Sequence, residues 1–210
     1  MKVIETIRLV LEKSKNVEID RDKIREYAGT YDKRKHNHWL SVSPFDIDKL
    51  PEKEKLDFLF TLNSMSFCYW GNPKWGVQYN EAEYDGAQAM MACLGRAIER
   101  GVSFNPTQLA NLQREDLEEI LRGNVEIPLL EERLRFLREV GTVTQREFRG
   151  DFRYLVDQSQ GNALQLVDLL VGNFPSFKDS AFYKGDIVHF NKRAQLLASD
   201  LNYLFGGLDN

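Results

Sequence analysis

Cysteine is scarce in this sequence, with two in 210 residues, Cys68 and Cys93. They form no C-x-x-C pair and have no histidine at zinc-finger spacing, which excludes a zinc ribbon or a disulfide framework. Both read as reduced, buried thiols in a cytosolic protein. Histidine occurs three times, and His36 and His38, two apart, make a poor metal site without a carboxylate. No metal or organic cofactor is therefore expected. A Gly-rich phosphate loop, an H-E-x-x-H helix and a nucleophile elbow are all missing. No apolar run approaches the length of a bilayer span, so no membrane is expected as a partner. The N-terminal Met1-Lys2-Val3-Ile4-Glu5-Thr6-Ile7-Arg8 mixes charges into its apolar positions and has no signal-peptide core. Neither charge sign dominates. Lys plus Arg is 28 and Asp plus Glu is 32, a net of −4, which argues against a nucleic-acid coat protein.

What is present is a globular composition, 42% hydrophobic and 29% charged, in a length that suits one large domain or two small ones. Helical periodicity dominates. Ile4, Ile7 and Leu11 share one face of a first helix, and Asp20 caps a second that carries Ile24 and Tyr27. Pro51 opens a third, with Leu56, Leu59, Phe60 and Asn63 on one face. A turn over residues 70–75 leads into a small β-hairpin through Val77, Tyr79 and Tyr84. Asp85-Gly86 starts a helix bearing Met90, Leu94 and Ala97 that Gly101 ends. Further helices are expected over residues 115–121, 128–140 (with Gly141 just past the end) and 162–171. Residues 185–190 read as a brief extended piece. A last helix runs from Asn191, as N-cap, to Phe205. The reading is a mainly α protein forming a single helical domain over residues 1–210.

Three features bear on chemistry. The final helix has a core stripe of Ala194, Leu197, Leu201 and Leu204, while Arg193 and Asp200, seven apart, lie on another line. Lys192 and Arg193 fall in its first turn, where the helix dipole disfavours cations; beside free N–H groups, such a pair suits a phosphate. The alternative is that both are solvated or paired with a carboxylate. The aromatic run Phe67-Cys68-Tyr69-Trp70 can wall a pocket for a planar base, or can simply be core. His38 lies in an irregular stretch next to Lys33-Arg34-Lys35, a basic run that is either a solvated loop or a phosphate or RNA contact.

Five segments follow one another in order: Asn63-Ser64-Met65-Ser66-Phe67-Cys68-Tyr69-Trp70, similar to a D-x-x-N-F-x-F-W pattern; Tyr84-Asp85-Gly86 with Arg96-Ala97; Ile127-Pro128-Leu129-Leu130-Glu131-Glu132-Arg133; Phe174-Pro175-Ser176-Phe177-Lys178-Asp179; and Phe190-Asn191-Lys192-Arg193-Ala194-Gln195. Together they resemble the queuosine salvage family of queuosine 5′-phosphate N-glycosidases. The resemblance implies a helical, DNA-glycosylase-like fold and hydrolysis of the N-glycosidic bond of queuosine 5′-monophosphate. That reaction releases queuine for tRNA modification, with no direct nucleic-acid partner. It implies a functional role for Lys192, which matches the lysine of a K-R-A-Q motif, and a base contact for His38, with His36 as the alternative. Phe67, Tyr69, Trp70 and Arg193 would then bind substrate.

The sequence also departs from the family pattern. Gln88 stands where an aromatic is usual, and Asn63 replaces an aspartate. The family continues into an F-A-D-Y segment whose aspartate is catalytic, whereas this sequence ends at Gly206-Gly207-Leu208-Asp209-Asn210. The expectation is either a truncated or divergent member or one in which another carboxylate has taken over; Asp200 is the candidate for that catalytic carboxylate, the alternative being a helix-surface acid paired with Arg193 or another cation. A non-catalytic queuine- or nucleotide-binding module is the alternative function.

Overall fold

The computed structural model describes residues 2–31 and 37–208. Among them are ten α-helices and two antiparallel two-stranded hairpins, so the fold is mainly α. His36 and the Lys33-Arg34-Lys35 run lie outside the described residues. Packing groups the chain into two compact units, Met1–Val42 with Ser180–Phe190, and Ser43–Asp179 with Asn191–Asn210.

The smaller unit holds α1 (Lys2–Lys13), α2 (Arg21–Thr30), a 3-10 turn at Trp39–Val42, and the later hairpin. Asp20 caps α2 by accepting the N–H groups of Asp22 and Lys23. The face of α1 that packs is not the one its apolar residues mark. Ile4, Ile7 and Leu11 are exposed, and the inward line is Val3 and Thr6, with Val10 and Lys13 half-buried. Thr6 explains the difference, since its Oγ both donates to the His189 carbonyl and accepts the His189 N–H at 3.0 Å. A polar side chain that docks on strand backbone carries no hydrophobic signal. Ile24 and Tyr27 are likewise exposed, and α2 buries no residue.

In the larger unit, α3 (Glu52–Met65) is the axis, and every residue from Leu56 to Met65 is buried. Its polar members survive burial by bonding back to the preceding turn: Thr61 Oγ to the Asp57 carbonyl, Ser64 Oγ to Phe60, and Ser66 Oγ to Leu62. The first hairpin, β1 (Gly76–Tyr79) with β2 (Ala82–Asp85), feeds directly into α4 (Gly86–Glu99). Then come α5 (Pro106–Asn111), α6 (Arg114–Ile120), α7 (Leu130–Glu147), α8 (Phe152–Asp157) and α9 (Ala163–Asn173). After the second hairpin, β3 (Ser180–Tyr183) with β4 (Asp186–His189), α10 (Lys192–Phe205) returns to pack on α3 and α9. Phe60 stacks on Phe152 at 4.1 Å between ring centres, joining α3 to α8.

Gly141 does not end a helix. It lies inside α7, where α5 crosses so closely that a Cβ would come within 2.3 Å of the Ala110 nitrogen. The α7 helix therefore continues to Glu147, and the glycine is there to let two backbones meet. Asn191 also behaves otherwise than expected. It precedes α10, but in a left-handed conformation with φ of 41°, and its side chain caps nothing. The free N–H of Arg193 is instead taken by Asp179 Oδ2 at 2.8 Å.

Candidate functional site

The larger unit brings together two of the segments singled out from the sequence, the turn that ends α3 and the first turn of α10. Arg193 joins them. Its guanidinium donates to Asp179 Oδ1, to the Ser176 carbonyl, and to the Ser64 carbonyl of α3 at 3.1 Å. It also lies 5.0 Å from the centre of the Phe67 ring. Arg193 is 7% exposed, so its charge is committed to Asp179 and to two carbonyls, and the residue holds the site together. Lys192, one position earlier, is exposed on that same first turn. The two basic neighbours thus separate, one inward and paired, the other outward.

A second buried guanidinium binds the same turn. Arg133 of α7 is 0% exposed. It donates to the Pro128 carbonyl at 3.1 Å and to the carbonyls of Met65, Phe67 and Cys68, the last two at 2.6 and 2.9 Å. Burial pulls its pKa down to about 10, which still leaves it charged at neutral pH. Between the two arginines the chain reverses through Cys68, whose φ is 47°. Phe67 and Tyr69 are half-buried, and Tyr69 stacks on fully buried Trp75 with ring centres 6.3 Å apart. Burial raises the Tyr69 pKa, so the phenol stays protonated and bonds Ser66 Oγ. Trp70, by contrast, is 74% exposed.

Asp200 lies two turns along α10 from Lys192 and is completely enclosed. Asn63 Nδ2 of α3 donates to its Oδ2 at 2.8 Å. Its surroundings are the helix–helix interface. His38, in the smaller unit, is half-buried; its Nδ1 accepts the Leu40 N–H at 3.3 Å, and burial lowers its pKa. A neutral ring with Nδ1 as acceptor keeps its proton on Nε2. Cys93 is buried with its thiol pKa pushed up to about 12, which makes it inert, and Cys68 is half-buried and unbridged. Among the described residues, no group of three or more His, Cys, Asp or Glu is arranged to hold a metal ion.

Sequence reasoning gave Arg133 and Asp179 no role, although both fall in the recognised segments. Arg133 stands among the charged residues Glu131, Glu132 and Arg135 of α7, and Asp179 lies outside any helix, so neither spacing nor residue type marks them as buried.

Residues 47–210 match the queuosine salvage protein family. The chain belongs to that family. It is 38% identical over 217 residues to a queuosine 5′-phosphate N-glycosylase/hydrolase of Sphaerobacter thermophilus, an alignment that takes in 99% of this chain and 64% of the relative. A mouse protein of the same description is 31% identical over 206 residues, covering 93% of this chain and 61% of the relative. A third, from Nematostella vectensis, is 32% identical over 161 residues, covering 74% of this chain and 46% of the relative. The queuosine salvage chain described here thus spans less than two thirds of the length of these curated relatives.

Proposed function

We propose that this chain takes part in hydrolysing the N-glycosidic bond of queuosine 5′-monophosphate, in the cytoplasm, to release queuine. The observation that carries the proposal is the exposure of Lys192 on the first turn of α10, tied through Arg193 to the aromatic turn that ends α3. An exposed lysine on this turn supplies the charge that a phosphate takes, while Asp179 already occupies the Arg193 N–H. Half-buried Phe67 and Tyr69, with exposed Trp70, offer π-faces to a planar base. The family pattern alone makes His38 a proposed base contact.

The chemistry sets one demanding condition. Cleaving the glycosidic bond develops positive charge on the ribose, and a carboxylate close to the sugar stabilises it and orients the attacking water. A 7-deazapurine leaving group cannot be protonated at the usual N7, so help at the sugar matters more. Asp200 was the carboxylate singled out for this from the sequence, but its oxygen reaches Asn63 within a closed helix interface. In our reading Asp200 is a positioning residue that holds α10 to α3. This burial supports a second reading, in which the chain supplies the nucleotide-binding half of the reaction and binds without turnover.

The deciding experiment incubates the purified chain with queuosine 5′-monophosphate and follows free queuine by chromatography, with calorimetry in parallel. Release of queuine supports the hydrolase. Tight binding without release supports the binding module, and neither binding nor release rejects both.

A further inference from the structure

We propose that Arg133 is the positioning residue of this site, a fork that fixes the turn carrying Phe67 and Tyr69 and so sets the shape of the base-binding wall. The inference rests on the nucleotide reading only for what the wall is used for; the fork itself is a matter of geometry.

An α-helix leaves its last carbonyls without intrahelical partners, and at a buried end they must find donors elsewhere. The end of α3 is buried, and two arginines meet this need. Arg193 takes the Ser64 carbonyl and Arg133 that of Met65, and Arg133 goes on to take those of Phe67 and Cys68 in the turn beyond the helix. No other residue type does this, because only guanidinium presents five donors in a rigid planar fan. Cations at a helix C-terminus are also favoured by the dipole. With its carbonyls held on one side, the chain turns at Cys68 through a left-handed conformation that a non-glycine residue seldom adopts.

The aromatic rings complete the arrangement. The guanidinium carbons of Arg133 and Arg193 lie 4.4 and 5.0 Å from the centre of the same Phe67 ring. Two buried like charges are thus brought toward each other with an aromatic ring beside both, whose negative faces offset the repulsion. Arg133 also lies 5.3 Å from the Tyr69 ring centre, so one side chain indexes both wall residues. Arg133 is fully enclosed and makes no contact with solvent.

Lysine at this position keeps the charge but, with a single ammonium, cannot span four carbonyls arranged as a fan. Arg133→Lys should therefore loosen the wall while sparing the phosphate end. The expected result is a rise of about tenfold or more in the Kd for free queuine and for queuosine 5′-monophosphate alike, with inhibition or binding by inorganic phosphate unchanged. Equal weakening of all three ligands, or of none, would overturn the positioning role. A ligand-free measurement on the unaltered protein keeps the inference testable if the variant fails to fold or if no nucleotide binds. Backbone NMR order parameters at residues 67–69 should match those of the core of α3, because the carbonyls on this stretch are clamped. Order parameters typical of an open surface loop would mean that the fork fixes nothing.

Discussion

Asn63 and Asp200 meet between α3 and α10 with Nδ2 and Oδ2 2.8 Å apart, neither side chain touching solvent. The oxygen of the amide, Asn63 Oδ1, has no hydrogen-bond donor among the described residues. The polarity of the pair follows from its chemistry: an ionised carboxylate only accepts, so the amide donates. Reversing this is expected to be costly. Asn63→Asp places two carboxylates in contact in a closed interface, where both cannot ionise. One then holds its proton to a pH well above its unfolded value, so the folded state binds more protons than the unfolded state. By linkage, stability falls as pH rises through that range, and the deficit is complete above the raised pKa. Thermal melts of Asn63→Asp should show a Tm below that of the unaltered chain by a margin that widens from pH 5 to pH 8. A constant margin would contradict the closed pairing.

Gly141 gives a prediction about the fold alone. Alanine is worth about 1 kcal/mol more than glycine inside an exposed helix. Here, though, its methyl would meet the backbone of α5 at Ala110 and Pro106, which cannot yield as a flexible side chain does. Overpacking of this kind costs about 1–3 kcal/mol. Gly141→Ala should lower the denaturant midpoint without changing the m-value. A stabilised variant would mean that the two helices do not approach as described.

Asp57 predicts a pH dependence of the opposite origin to a salt bridge. It is 6% exposed, and burial raises its pKa from 3.8 to about 6, with Lys53 pulling down and Asp151 and Glu54 pushing up. A carboxyl raised in the folded state disfavours folding once it ionises. The penalty is absent below the unfolded pKa, grows between about pH 4 and 6, and is complete above that, on the order of 2–3 kcal/mol. Asp57→Asn removes it. The variant should match the unaltered protein at pH 4 and exceed it in stability at pH 7.5, by chemical denaturation at both. Equal stability at pH 7.5 would show that the carboxylate is better solvated than its burial implies.

Much of the scaffold was legible in the sequence because its elements are bounded by residues with strong local preferences. Asp20, Asn162 and Asp85-Gly86 mark true helix starts, and the Val77–Tyr84 hairpin follows from its alternation. The short helices α5 and α8 were not legible, since six residues carry too little periodicity. The face of α1 was misread because Thr6 docks through its hydroxyl. At the site, the residues of the K-R-A-Q segment were found but their division of labour was not. Arg193 and Asp200 share a helix line, and that line is buried; a periodic pattern built on apolar residues passes over charges that are satisfied by distant carbonyls and amides. Partners 129 and 137 residues away in the chain leave no local trace.

The central claim is that the start of α10 grips the phosphate of a nucleotide whose base lies against the Phe67 turn. Its most direct test is calorimetric titration of the unaltered chain and Lys192→Ala with queuosine 5′-monophosphate and, separately, with queuine. A charge-assisted contact is worth about 1.5–3 kcal/mol, or roughly 10- to 100-fold in Kd. The account predicts a loss of that size for the nucleotide and less than a twofold change for the free base. Equal losses for the two ligands, or no loss for the nucleotide, would contradict it.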